Sequence, residues 1–296
     1  MIIRQLLHTE PVVAASYFVG CGGKQVALVV DPVDEPRVYL DIAARPLTRI
    51  RYVVDTHVHA DHRSTGRALA AAAGAEYVLH ADVDARFPFR GVRDGDRLEI
   101  GNVVAEVWHV PGHTPEHIAL VVSDRTRAAE PWLVFTGHTL MVGDMGRTEL
   151  ASSAEDGARA LFESAERIRG LADYVQVMPG AFAGSVCGRG LSATPISTIG
   201  FERRFNRAFA VTDRAAFIEH MLREIPPRPP GALANRRANL GLEVEDASPD
   251  AVSESLAPGD GREPSVRRFA LRSINGDASC NDTPSRSESA DDRDRR

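Results

Sequence analysis

An α/β fold, with sheets flanked by helices and a site along one sheet edge, is predicted by three features of this sequence. Short β-branched, apolar runs alternate with segments whose apolar residues recur at helical spacing. The histidine-bearing clusters at residues 57–62, 113 and 138 each follow the end of a strand-like run. With 43% hydrophobic residues in a chain of 296, there is material for a sizeable core.

The elements follow in order. Residues 12–19 and 25–31 are apolar runs joined through Cys21-Gly22-Gly23, where glycine tolerates a tight turn, and they predict a hairpin ended by Asp31-Pro32. A short helix is expected over 37–44, a strand over 51–55, a helix of small residues over 64–73 and a strand over 76–80. Asp94-Gly95-Asp96 marks a turn, and residues 98–100 and 103–110 form a second hairpin through Gly101-Asn102. Strands are expected at 118–123, 132–136 and 174–178. Between the last two, Ala158, Leu161, Phe162, Ala165 and Ile168 place one apolar stripe on a helix over 153–169. Residues 179–190 are glycine-rich, and helices over 198–209 and 214–223 are broken by the prolines of 226–230. The folded domain is expected to be residues 1–243. Residues 244–296 are too polar to offset their ordering entropy and read as a disordered tail.

A net charge of -6 gives no electrostatic case for nucleic acid. No run approaches the roughly 18 apolar residues of a membrane span, and residues 1–10 lack a signal-peptide pattern. Cys21, Cys187 and Cys280 make no disulfide framework, which suggests a reducing compartment. A soluble, cytoplasmic protein with no membrane or nucleic-acid partner is the expectation.

Chemistry concentrates in the run Thr56-His57-Val58-His59-Ala60-Asp61-His62. So many imidazoles and a carboxylate need hydrogen-bond partners or a metal once buried. A merely solvated polar loop would make their spacing a coincidence, so a metal site is the stronger reading. Imidazole and carboxylate suit zinc, iron or manganese, and the lack of a nearby thiolate argues against a closed structural zinc. His113 sits in the tight Pro111-Gly112-His113-Thr114-Pro115 turn, and His138 lies between Gly137 and Thr139. His80, His109 and His117 read as structural.

The His57 to His62 run, Gly112-His113-Thr114 and Gly137-His138-Thr139-Leu140, in this order, resemble the metallo-β-lactamase fold superfamily over residues 1–240. That resemblance implies an αββα four-layer sandwich with metal at the sheet edges. Residues 143–150, 187–192 and 197–204 are similar to the bacterial persulfide dioxygenases, relatives of the glyoxalase II thioesterases. The similarity implies one Fe(II) that oxidises glutathione persulfide with dioxygen to sulfite and glutathione, a glutathione-derived substrate and a homodimer. It places the metal on His57, His113 and position 138, where the family has Asp and this chain has His138. Where the family has another His, this chain has Ala181.

Both departures bear on the metal count. A carboxylate can bridge two ions, whereas a neutral imidazole nitrogen binds one, so a dinuclear hydrolase is disfavoured. Three histidines still suit Fe(II), with Zn(II) as the alternative ion. The alternative functions are a zinc-dependent hydrolase of glutathione thioesters and an inactive relative that binds thiols or persulfides. His59, Asp61 and His62 are expected to orient the site or serve as alternative ligands. Arg147, just beyond His138, is expected either to grip a substrate carboxylate or to pair with Asp144 or Glu149.

Overall fold

Strands apolar on both faces need a layer on each side, and that requirement sets the architecture. The computed structural model describes residues 1–223, 225 and 227–242. One six-stranded sheet runs in the order β1 (Ile2–His8), β2 (Ala14–Cys21), β3 (Val26–Val30), β4 (Arg49–Val54), β5 (Glu76–His80) and β6 (Arg90–Val92). The other six-stranded sheet is ordered β12 (Ser197–Thr198), β11 (Gln176–Pro179), β10 (Leu133–Gly137), β9 (Ile118–Asp124), β8 (Val103–His109) and β7 (Arg97–Ile100).

The facing sides share one core, where Tyr17, Leu28, Val54 and Val78 join Leu98, Ala105, Leu120 and Phe135. Alternate residues point the other way. Phe18, Val29 and Val53 pack with Tyr39 of α1 (Pro36–Ala44) and Leu69 of α2 (Gly66–Ala73). On the opposite outer face, Val121 and Val134 pack with α3 (Ala154–Arg169), α4 (Ile199–Phe205) and α5 (Arg214–Leu222) through Leu161, Ile199 and Phe217. The layers are therefore helix, sheet, sheet, helix, as expected.

Parallel pairs β3–β4, β4–β5 and β10–β11 are joined through α1, α2 and α3, and the remaining pairs are antiparallel apart from β5–β6. Local chemistry fits the longest helix. Ser153 Oγ caps α3 by accepting from Asp156 N, Glu155 and Asp156 sit in its first turn, and Arg167 and Arg169 in its last.

Five elements depart from expectation. Strands β1, β6 and β12 and the helix α6 (Ala232–Asn239) are additional. The helix expected over 198–209 stops at Phe205, because Asn206 uses Oδ1 to accept from Ala208 N and Phe209 N and Nδ2 to bond Met141 and Asp144 carbonyls. The expected tail at 244–296 lies outside the described residues. Among the described residues, no helix is long and apolar enough to cross a membrane.

Candidate metal centre

The polar residues gather where strands of both sheets end. The 55–65 loop leaves β4, the 110–117 loop leaves β8, and residues 138 and 180 follow β10 and β11. Backbone bonds tie these ends together, with Ile118 N donating to Thr56 O at 2.8 Å, Gly180 N to Gly137 O at 2.7 Å and Ala15 N to Gly180 O at 2.7 Å. Gly112 makes one approach possible. Its φ of +145° is poorly tolerated by side chains, and a Cβ there would come within 2.5 Å of Leu161 Cβ on α3.

His57, His113 and His138 are brought together, each offering a ligand atom within 4.8 Å of the others. Their hydrogen bonds decide which nitrogens are free. His113 Nδ1 lies 2.7 Å from the Arg147 carbonyl, which can only accept, so Nδ1 carries the proton and Nε2 keeps its lone pair. Thr56 Oγ1 gives its single proton to Asp31 Oδ2 at 2.8 Å, so it accepts from His57 Nδ1 at 3.0 Å. Among the described residues, His57 Nε2 is left buried with no hydrogen-bond partner. His138 Nδ1 faces His113 Nε2 at 3.4 Å. Two nitrogens bound tetrahedrally at the usual metal–imidazole length lie about 3.4 Å apart.

Burial holds all three imidazoles neutral. It pushes His57 well below its ordinary value, with the neighbouring His59 adding to the effect, takes His113 down to about 3, and lowers His138 although Asp61 opposes it. Neutral imidazoles with free lone pairs are metal-competent donors, so the set fits one divalent ion.

A second cluster, His59, Asp61 and His62, lies alongside. His59 Nε2 bonds Asp31 Oδ1 at 3.2 Å and His62 Nδ1 bonds Asp61 Oδ1 at 3.0 Å. Among the described residues, His59 Nδ1, Asp61 Oδ2 and His62 Nε2 are buried without a hydrogen-bond partner, although His59 Nδ1 lies 3.7 Å from Asp61 Oδ1. Although burial opposes it, hydrogen bonding and charge from Asp31, with Asp61, hold His59 well above its ordinary value. His117 is structural, since Nε2 accepts from His138 N and Nδ1 donates to Thr139 Oγ1. His80 stacks on His109, away from these groups, with ring centroids 4.3 Å apart.

Several participants were not apparent from sequence. Asp31, at the end of β3, accepts from Thr56 N, Thr56 Oγ1 and His59. Asp55 Oδ2 accepts from Tyr77 Oη at 2.6 Å. The sequence shows no thiolate near the histidine run, but the fold brings buried Cys187 within ligand range of Asp61 and His138. From α6, Asn235 donates to Ala60 O, Arg236 to Val58 O and Asn239 Nδ2 to both His59 O and His62 O. Arg236 also pairs with Glu116, which accepts from Val58 N.

Arg147 is 5% exposed. Its guanidinium pairs with Glu149 and donates to the carbonyls of Val186 and Pro227. This is one of the two pairings open from the sequence, and a substrate carboxylate would have to compete with Glu149 for it.

Residues 9–180 match the Metallo-beta-lactamase superfamily. A hydroxyacylglutathione hydrolase of Pseudomonas paraeruginosa is 38% identical over 121 residues, 40% of this chain and 44% of that protein. The human mitochondrial persulfide dioxygenase ETHE1 is 31% identical over 168 residues, 55% of this chain and 61% of that protein. The chain thus spans about half the length of the curated relatives it matches. Among solved structures, a metallo-β-lactamase from Staphylococcus aureus superposes with a TM-score of 0.76 at 32% identity, covering 81% of this chain and 72% of that one. ETHE1 from Myxococcus xanthus gives 0.69 at 30% identity, covering 81% of this chain and all 100% of that one.

Proposed function

Because the chain belongs to the metallo-β-lactamase superfamily, we propose that it is a mononuclear metalloenzyme acting on glutathione persulfide, with Fe(II) held by His57, His113 and His138. The observation that carries this reading is the convergence of three neutral imidazoles, two with their Nε2 lone pairs fixed by partners that accept at Nδ1, the Arg147 carbonyl and a Thr56 hydroxyl whose proton is given to Asp31. His138 and Ala181 supply neither a bridging carboxylate nor a further imidazole, which favours one ion over two. The full coverage of the Myxococcus ETHE1 structure supports the dioxygenase direction.

His57, His113 and His138 would hold the ion, which when bound would bring dioxygen and the persulfide sulfur together, so that proximity would carry much of the rate. The protein's own work is orientation. Arg147 O and Thr56 Oγ1 hold the proton on the outer nitrogens of His113 and His57, and Asp31 anchors Thr56. Arg147 enters through its carbonyl, with its guanidinium pinning the turn against Glu149. Dioxygen and water supply the oxygens of sulfite, and the inner sulfur leaves as glutathione thiol.

A second reading follows from the hydroxyacylglutathione hydrolases among the relatives. Three imidazoles also describe a catalytic zinc, which activates water for thioester cleavage. Metal analysis of the purified full-length protein, with oxygen uptake on glutathione persulfide, separates them. Iron with oxygen uptake and sulfite formation is expected. Zinc with cleavage of a glutathione thioester establishes the hydrolase instead, and absence of any bound metal indicates an inactive thiol-binding relative.

A further inference from the structure

His8 closes the C-terminal end of β1, is buried, and has no part in the proposed reaction. Its two ring nitrogens nevertheless join two separate elements. Nε2 lies 2.9 Å from Ser16 Oγ on β2, and Nδ1 lies 3.4 Å from Asp34 Oδ1 in the turn after β3. Ser16 Oγ in turn lies 2.8 Å from Tyr39 Oη on α1, which accepts from Val33 N at 2.9 Å and Asp34 N at 3.3 Å. These bonds make a closed ring that leaves the backbone of Asp34 and returns to its carboxylate.

Proton counting allows one direction round that ring. Tyr39 Oη already accepts from two backbone N–H groups, so its own proton goes to Ser16 Oγ. Ser16 then gives its proton to His8 Nε2, and His8 carries its proton on Nδ1, facing the Asp34 carboxylate. Burial lowers His8 below its ordinary value although Asp34 opposes it and His62 adds to the effect, which agrees with a neutral ring. The order Ser, His, Asp is that of a hydrolytic triad, but Ser16 is 0% exposed and no substrate can reach its hydroxyl.

What the ring holds is the turn that begins at Asp31. This residue has φ +47°, a left-handed conformation that a side-chain-bearing residue keeps only where its surroundings fix it. Thr65 Oγ1 grips the carbonyl side of the turn, donating to Pro32 O at 3.0 Å and Asp34 O at 2.8 Å. On the other side Pro32 has no N–H, and the next two N–H groups, of Val33 and Asp34, both go to Tyr39. The Asp31 carboxylate so placed takes the proton of Thr56 Oγ1, and that commitment makes Thr56 the acceptor for His57 Nδ1.

We propose that His8 is a positioning residue for the metal centre: it closes the ring that holds the 31–34 turn, and through Asp31 and Thr56 that turn keeps the proton of His57 on Nδ1. The inference rests on the proposed centre of His57, His113 and His138, although its first readout needs no ion.

Ring-nitrogen NMR of the histidines in the metal-stripped, full-length protein reads the tautomer of His57 directly. The expected result is an Nδ1-protonated His57 in the wild type and a mixture of both tautomers in His8→Phe. Metal affinity, measured by competition with a chelator, is expected to fall by up to about 10-fold in His8→Phe, the low end for a direct partner, because His8 acts through Thr56. Added to Thr56→Val, the same substitution should cost no further affinity. Asp34→Ala opens the ring at a side chain that is 36% exposed and should shift the His57 tautomer in the same direction. An unchanged tautomer in both His8→Phe and Asp34→Ala would overturn the proposal and leave the metal centre standing. A further loss of affinity in the His8→Phe/Thr56→Val variant would give His8 a general stabilising role and overturn it too. A wild-type protein that binds no ion would sink the metal centre, and the role of His8 with it.

Discussion

His57 and His117 stack with ring centroids 4.7 Å apart, yet their partners give them opposite tasks. Both nitrogens of His117 are taken, one by a backbone N–H and one by a hydroxyl, so no lone pair is left for an ion. His57 has one nitrogen tied to Thr56 and the other buried with nothing to bond. The difference lies in Thr56, whose single proton is committed to Asp31. Replacing Thr56 by Val keeps the shape, removes the acceptor for His57 Nδ1 and allows the proton to move to Nε2. Partners of this kind are typically worth about 10- to 100-fold in metal affinity. Thr56→Val is therefore expected to weaken metal binding by that order, read by competition with a chelator. Wild-type affinity in the variant would show that the hydroxyl does not fix the ring.

At the scale of elements, the site is a meeting of strand ends that a surface helix holds in place. Asn239 of α6 donates to the carbonyls of His59 and His62 and accepts from Ser64 N, gripping the metal loop at several points. Asn239→Ala leaves those groups without these partners, at a cost of about 1 to 3 kcal/mol. The expected outcome is a lower denaturation midpoint together with faster metal release to a chelator; unchanged release would limit α6 to general stability. This helix also shows where sequence reading stops. The strands at β2, β3, β5 and β8 and the helix α3 were legible because burial writes itself as apolar runs or a 3.6-residue stripe. Helix α6 buries only Ala232, since its work is done by Asn and Arg side chains on loop carbonyls, and it leaves no apolar period. Likewise β1 is largely half-exposed along its length, and β6 is three residues long. His57, His113 and His138 each follow a strand, as His80 and His109 end one, so it was the motif resemblance that set those three apart as the implied ligands. Asp31 and Cys187 could not be picked out, because only the folded sheets bring them to the histidines.

The molecule as a whole carries several buried imidazoles at one junction of its two sheets, and this makes its stability depend on pH. His57, His113, His117 and His138 are all held below their ordinary values, first by burial, with His113 down to about 3. In the unfolded chain each takes up a proton below about 6.5. Between that pH and the folded value the unfolded state binds more protons, so stability present above about 6.5 is lost as pH falls, by about 1.4 kcal/mol per pH unit for each group that stays neutral. His59 acts in the opposite sense: raised by Asp31 and Asp61 against its burial, it contributes stability that is full below about 6.5 and lost as pH rises through its folded value. Asp31 and Asp61, both held below their ordinary values, contribute stability that is lost only at lower pH, as pH falls through their folded values. His8, His80 and His220, also lowered first by burial, act in the same sense as the first four imidazoles, whereas the raised Asp55 acts with His59, so the net slope is positive and the metal-stripped protein is expected to lose stability when taken from about pH 7.5 to about pH 5.5. An ion that binds only the folded state adds stability at each pH and competes with protons for the same nitrogens, so its benefit should shrink on acidification. Denaturation midpoints at the two pH values, with and without added metal, check both statements. A flat or rising midpoint on acidification of the stripped protein would show that the junction does not keep its imidazoles neutral, and the metal assignment would lose its chemical basis.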